Sequence, residues 1–184
     1  IIRWKIYFNF LDDVEIMIKI IDNFFSENDL KFIQDFALTK AFYTPRYFDN
    51  AIEKNKKNYY GNRWVLENKP ELLELFKKQS ELKFKIKINT ININSGIDQR
   101  NLDHFKPHVD TNSGILNILV MISGPTAVTN GTVFYTDNEL DIHVGFIENR
   151  AILFPSNWLH SQHASNIPNL KRYTATLFIK DYEE

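Results

Sequence analysis

Phe105-Lys106-Pro107-His108-Val109-Asp110-Thr111 sets a histidine and an aspartate two residues apart, directly behind a proline. Pro107 fixes its own φ and steers the residue before it toward extended backbone. Along an extended strand successive side chains alternate between faces, so His108 and Asp110 emerge together while Val109 turns away. A second stretch lies some fifty residues on: Phe154-Pro155-Ser156-Asn157-Trp158-Leu159-His160 ends an apolar run in a proline turn and a histidine. Arg172-Tyr173-Thr174 then opens another strand-like run. Two imidazoles and one carboxylate form the face that holds ferrous iron while leaving coordination positions open. His108, Asp110 and His160 can together supply such a face. A lone H-x-D arises often by chance, and the proline, the second histidine and the arginine beyond it supply the context that such a pair lacks on its own.

Taken in order, His104-Phe105-Lys106-Pro107-His108-Val109-Asp110, Asn130-Gly131-Thr132-Val133-Phe134, His160 and Arg172 resemble the Fe(II)- and 2-oxoglutarate-dependent oxygenases. The likeness is greatest to the prolyl 4-hydroxylase-like branch and covers roughly the C-terminal two-thirds of the chain. It implies a double-stranded β-helix, or jelly-roll, core with Fe(II) on His108, Asp110 and His160. It also implies 2-oxoglutarate and dioxygen as cosubstrates and hydroxylation of a C–H bond, with peptidyl proline as the expected substrate. Arg172 takes the family's basic position toward the distal carboxylate of 2-oxoglutarate. A guanidinium fork matches a carboxylate in two hydrogen bonds, which suits that task. Thr174 shares the strand face of Arg172 and is a second candidate contact.

The family's tyrosine on the strand before the first histidine has no counterpart in Thr90-Ile91-Asn92-Ile93-Asn94, so Asn92 or Asn94 is expected in its place. Asp110 argues against a halogenase, since related halogenases leave that position without a carboxylate. A nucleobase-repair oxygenase and a non-catalytic jelly-roll binding protein are the alternative functions. His163 competes with His160 for the distal ligand position, and the family pattern favours His160. His104, His143 and His163 are expected to be ordinary surface histidines.

The 184 residues fit one domain, 1–184, with a substantial core. An aromatic share of 14%, led by fifteen Phe and eight Tyr, fits a filled β-rich interior. A formal net charge of -1 offers no global attraction to a polyanion. The expected partner is thus a peptide or small-molecule substrate rather than nucleic acid, and oligomeric state leaves no sequence signature. The absence of cysteine removes disulfides and thiolate metal sites and fits a reducing cytoplasm. Arg3, Lys5, Asp12, Asp13 and Glu15 break the apolar N-terminal stretch, so no membrane span is expected there.

Ser26-Glu27-Asn28-Asp29 reads as a helix start, and Leu30, Ile33 and Ala37 continue at helical spacing, predicting a helix near 27–38. Pro70 opens a second helix carrying the stripe Leu72, Leu75, Phe76. From Leu82 the residues Leu82, Phe84, Ile86 and Ile88 alternate with Lys83, Lys85, Lys87 and Asn89, predicting a strand with a β-bulge at Thr90-Ile91. Further strands are expected at Ile115–Ile122, Thr132–Tyr135, Ala151–Phe154 and Thr174–Ile179. The fold class is therefore mostly β with N-terminal helices. Ala41–Trp64 shows neither period and is expected to be a long loop that covers the site as a lid.

Overall fold

The computed structural model describes residues 5–11, 14–49, 57–101, 106–127, 129–137, 139–163 and 170–184. In chain order its strands are β1 (Lys5–Leu11), β2 (Val14–Ile21), β3 (Thr44–Asp49), β4 (Lys57–Val65), β5 (Lys87–Ile91) and β6 (Gly96–Asn101). There follow β7 (Leu116–Ser123), β8 (Gly131–Thr136), β9 (Glu139–Gly145), β10 (Ala151–Pro155), β11 (His160–His163) and β12 (Lys171–Glu183). Two α-helices, α1 (Glu27–Asp35) and α2 (Pro70–Phe84), precede β5.

The large sheet runs β1-β2-β10-β7-β12-β6-β4-β3, with β5 paired to the far end of β12. The small sheet runs β11-β8-β9. His108 forms an isolated antiparallel bridge with His160 and so adds a one-residue fourth member beside β11. Four strands of the large sheet, β10-β7-β12-β6, thus face four positions of the small one, and all pairings are antiparallel. This is a double-stranded β-helix, in which two sheets close around one mouth.

The period-two alternation of β12 decides what lies on each side of the large sheet. Ala175, Leu177 and Ile179 are fully buried and pack with Ile97, Ile118 and Val120 against Leu72, Phe76 and Phe84 of α2 and Ile33 of α1. The other face carries Arg172, Thr174, Thr176 and Phe178 and looks toward the small sheet. Between the sheets a second apolar cluster of Met121, Phe134, Phe146, Ile152, Phe154 and Trp158 fills one end. The opposite end is open and polar.

Both helices start where the sequence places them. The Ser26 hydroxyl accepts the Asp29 N–H at 3.2 Å, and α1 runs on into a π-helical turn over Phe36–Lys40. Pro70 is the first residue of α2, which buries Leu72, Phe76, Ser80 and Phe84 at steps of four. That stripe corrects the strand expected from Leu82. Helical spacing extends to Phe84, and Lys85 in the left-handed conformation stops the helix, so β5 begins only at Lys87. Alternating lysines fit an exposed helical turn as well as a strand, and the buried stripe decides between them. The predicted irregularity is present, as register shifts where β5 meets β12 near Thr90.

Ala41–Trp64 also differs from expectation. It contains the antiparallel pair β3–β4, with β4 hydrogen-bonded to β6, so it extends the large sheet instead of lying over the site as a loop. Its period is hidden because the inward-facing position on β4 is a charged one, Arg63, while Trp64 packs on Phe36 on the other face. Residues 50–56 lie outside the described residues. No helix among the described residues is long and apolar enough to cross a membrane.

Gly96 on β6 is tightly enclosed: a Cβ there would lie 2.5 Å from the Trp64 carbonyl oxygen and 2.8 Å from Arg63 Cγ. Gly96→Ala is expected to lower stability by about 1–3 kcal/mol through overpacking against backbone, measured by the midpoint of urea unfolding. An unchanged midpoint would mean that β4 and β6 separate more readily than their register indicates.

Candidate active site

The open end of the β-helix is built around a backbone pair. His108 N–H donates to His160 O at 2.9 Å and His160 N–H donates to His108 O at 3.0 Å, which brings the two rings to 4.4 Å. Two residues on, Asp110 N–H donates to Ser156 O at 2.7 Å, holding the carboxylate on the same side. One ligand atom from each of His108, Asp110 and His160 lies within 4.8 Å of the others. The sequence-predicted trio is therefore brought together in space.

The orientation of the rings is informative. Nδ1 of His108 lies 3.2 Å from the Lys106 carbonyl oxygen, and Nδ1 of His160 lies 2.9 Å from that of Trp158. A carbonyl only accepts, so in each ring Nδ1 carries a hydrogen and Nε2 is the nitrogen turned toward the carboxylate. Both Nε2 atoms face Asp110, His108 at 3.8 Å from Oδ1 and His160 at 3.3 Å from Oδ2. Burial, reinforced by His160 and Arg100, pushes the His108 imidazole down to about 4, so it is neutral near pH 7. Burial alone would raise the Asp110 carboxyl, but its contacts with His160 and His108 and the field of Arg63 bring it below the usual carboxylate value. Asn117 Nδ2 donates to Asp110 Oδ2 at 2.8 Å and fixes the carboxylate plane. Two imidazoles and a carboxylate, each held from behind, fit a divalent metal of the iron type.

Beside this trio lies a cavity of about 260 Å³ lined by residues of both sheets, among them Arg63, Arg100, Thr132, Arg172, Thr174 and Gln162. Arg172 is 2% exposed. Its Nη1 donates to the Gly131 carbonyl at 2.6 Å and lies 3.4 Å from Asn130 Oδ1, while its Nε is buried without a hydrogen-bond partner. Burial, aided by Arg100, lowers the guanidinium to about 9. Among the described residues no carboxylate pairs with it, so a buried cation meets only neutral oxygens. Such a group is costly without an anion. Thr174, 2% exposed, follows on the same face, and Thr132 across the cavity has a buried hydroxyl with no partner.

The two asparagines do not reach this cavity. Asn92 and Asn94 sit in the turn between β5 and β6, where Asn92 Nδ2 donates to Ser113 O and Asn92 Oδ1 accepts the Asn94 N–H. His163 is paired in register with Gly131, and its ring lies 4.9 Å from that of His143, away from the trio. His104 lies outside the described residues.

Sequence reasoning offered Arg63 only as a loop residue that could contact a substrate, and it missed Arg100 in the cavity wall and two supporting residues, Asp98 and Asn117. Arg63 on β4 makes a two-pronged ion pair with Asp98 on β6, at 2.8 and 2.7 Å, and Arg100 follows two residues along β6. Asn117, which orients Asp110, lies within an otherwise apolar strand. The alternation Asp98-Gln99-Arg100 behind a glycine was the available signal, since charges repeating at two residues on a central strand must face something polar.

No protein-family model matches the sequence, and no curated protein matches it. Solved structures do match the fold. The non-haem α-ketoglutarate-dependent epimerase SnoN from nogalamycin biosynthesis superposes with a TM-score of 0.59 at 8% identity, covering 90% of this chain and 78% of SnoN. A Pseudomonas putida prolyl-4-hydroxylase gives 0.59 at 6% identity over 89% of this chain and 92% of its own. A Trichoplax adhaerens prolyl hydroxylase, solved with a hypoxia-inducible-factor peptide, gives 0.58 at 13% identity over 89% and 83%. The chain has the double-stranded β-helix fold of the Fe(II)- and 2-oxoglutarate-dependent oxygenases. Within that class its fold is shared with prolyl hydroxylases and with an epimerase alike.

Cobalt(II) or zinc(II) is expected to raise the melting temperature of the metal-free protein, and Asp110→Ala and His160→Ala to abolish that rise. His163→Ala should retain it. Differential scanning fluorimetry reads the three variants side by side, and a loss confined to His163→Ala would move the distal ligand to that residue.

Proposed function

We propose that the protein is an Fe(II)- and 2-oxoglutarate-dependent oxygenase that oxidises a substrate C–H bond. The observation that carries this reading is the convergence of the His108 and His160 Nε2 atoms on Asp110, beside a buried Arg172 that has no carboxylate partner among the described residues. His108, Asp110 and His160 would hold the iron. Arg172, with Thr174 and the unpartnered Thr132 hydroxyl, would bind the distal carboxylate of 2-oxoglutarate. The bound iron and 2-oxoglutarate supply oxidation by dioxygen, with succinate and carbon dioxide as coproducts and one oxygen atom delivered to the substrate.

The chain's own residues do the positioning. Lys106 and Trp158 carbonyls fix both rings, Asn117 fixes the carboxylate, and Phe154 and Phe178 wall the cavity with apolar surface that restricts water. A restricted, low-dielectric site strengthens the Arg172–carboxylate pair. Peptidyl proline is the favoured substrate. It is supported by the motif likeness and by the presence of prolyl hydroxylases among the structures that share the fold.

Anaerobic Fe(II) titration followed by 2-oxoglutarate tests the reading. A visible absorption band that needs both components, and succinate release on admitting air, are expected. Iron binding without either response would leave a metal-binding β-helix. Proline-containing peptides should stimulate succinate release more than single-stranded DNA, with mass spectrometry showing the gain of one oxygen. Stimulation at unchanged substrate mass would instead indicate a stereochemical reaction.

Arg172→Ala should weaken 2-oxoglutarate by about 2–5 kcal/mol, as for truncating one side of a desolvated ion pair, while leaving iron affinity nearly unchanged. Calorimetric titration with 2-oxoglutarate on the manganese(II)-loaded variant measures this, and wild-type affinity there would return Arg172 to a structural role.

A further inference from the structure

Asp110 is the one member of the trio that stands outside the sheet pairing. His108 and His160 hold each other through a two-way backbone bridge, whereas Asp110 opens a turn that no strand contains. Ser113 N–H donates to Asp110 O at 2.7 Å and closes that turn, and Thr111 and Asn112 at its tip are exposed. A short exposed turn has little packing of its own to order it. Asn117 orients the carboxylate itself. What holds the backbone beneath the carboxylate must grip the turn through hydrogen bonds.

Among the described residues, two buried side chains do so from outside the turn. Ser156 Oγ donates to Gly114 O at 2.5 Å, and Asn92 Nδ2 donates to Ser113 O at 2.6 Å. Ser156 comes from the end of β10, where its carbonyl also takes the Asp110 N–H. Asn92 comes from the opposite direction, the turn between β5 and β6. Its own polar groups are fully used. The Asn92 N–H donates to Phe178 O at 2.8 Å, its Oδ1 accepts the Asn94 N–H at 2.8 Å, and its carbonyl accepts the Ser95 N–H at 2.9 Å.

The anchor is itself anchored. Arg63 Nη1 donates to Asn94 O at 2.9 Å, while Nε and Nη2 of the same guanidinium grip Asp98. A continuous path of hydrogen bonds thus runs from the buried ion pair between β4 and β6, through Asn94 and Asn92, to Ser113 and the backbone of Asp110. A satisfied buried network of this kind is rigid.

We infer that Asn92 is a positioning residue for the metal-binding carboxylate: by tying Ser113 to the centre of the large sheet, it sets the Asp110 turn before a metal arrives. Asn92 touches neither metal nor cosubstrate and acts through the turn. A carboxylate already in place has less freedom to lose when the metal binds, so affinity rises. This rests on the reading of His108, Asp110 and His160 as metal ligands.

Cobalt(II) titration of the metal-free full chain, followed by visible absorption, tests it together with amide hydrogen exchange across residues 110–114. Asn92→Asp keeps the Oδ1 acceptor for Asn94 and sets a second oxygen against the Ser113 carbonyl in place of the donor. Its added negative charge by itself favours a cation, so weaker binding there reports the lost bond. Cobalt(II) affinity is expected to fall about tenfold, as when an outer partner of a metal ligand is removed, and exchange across the turn to quicken in the metal-free protein. Ser113→Ala should match the wild type in both readings, because Ser113 takes part through its main chain. Leu72→Ala, a core truncation on the helix side of the large sheet, should lower the urea midpoint and leave both readings unchanged. Wild-type cobalt(II) affinity or unaltered exchange in Asn92→Asp, whatever its urea midpoint, would leave Asn92 a purely structural role and overturn the inference. Should Asn92→Asp fail to fold, Asn92→Ala is judged by the same two readings. A wild-type protein that binds no cobalt(II) overturns the metal reading itself, and the inference with it.

Discussion

The alternation of side chains along β12 is the constraint from which the rest of the structure follows. A central strand between β6 and β7 has no exposed face, so each residue must satisfy whichever layer it meets. Ala175, Leu177 and Ile179 meet the helices and are wholly apolar, while Arg172 and Thr174 meet the small sheet where the cavity opens. A one-residue slip in this strand would turn Arg172 toward the apolar helix side and bring Tyr173, Ala175 and Leu177 to the cavity. The stability of the core and the chemistry of the site are therefore fixed by one register.

The buried charges on the large sheet are graded by how they are compensated. Arg63 and Asp98 satisfy each other in a two-pronged pair, and Arg63 also lies over the Phe178 ring at 5.2 Å. Arg100 also pairs with Asp98, at 3.6 Å, and among the described residues Arg172 meets carbonyl oxygens and the face of Phe146. Compensation thus declines along the sheet from a structural ion pair toward a site prepared for a ligand. An interior built only for stability would replace such groups with apolar ones.

That His108, Asp110 and His160 come together and that Arg172 faces the same cavity was legible in the sequence through strand period and the order of the motifs. His108 and Asp110 share a face through period two, and His160 joins them through a backbone bridge between segments some fifty residues apart. The starts of both helices were equally plain, since Ser26 and Pro70 act through their own local geometry. The hairpin β3–β4 escaped notice because its inward position is ionic. Its complement, Asp98, comes from a strand more than thirty residues later, and no local period records that pairing. The same distance hid Arg100, which lines the cavity in register with Arg172. Asn92 and Asn94 were misplaced for the opposite reason: the strand that reaches the cavity is β6, beyond the turn in which they lie.

Arg172 belongs to the large sheet but donates to the Gly131 carbonyl in the small one, so a single side chain ties the two layers together across the open end. His108 and His160 belong to the small-sheet side of that same opening. The separation between the histidine pair and the guanidinium is thereby set by the thickness of the sandwich. On the proposed function the β-helix would act as a gauge of chain length: an oxo-diacid shorter or longer than 2-oxoglutarate would fit the two ends less well.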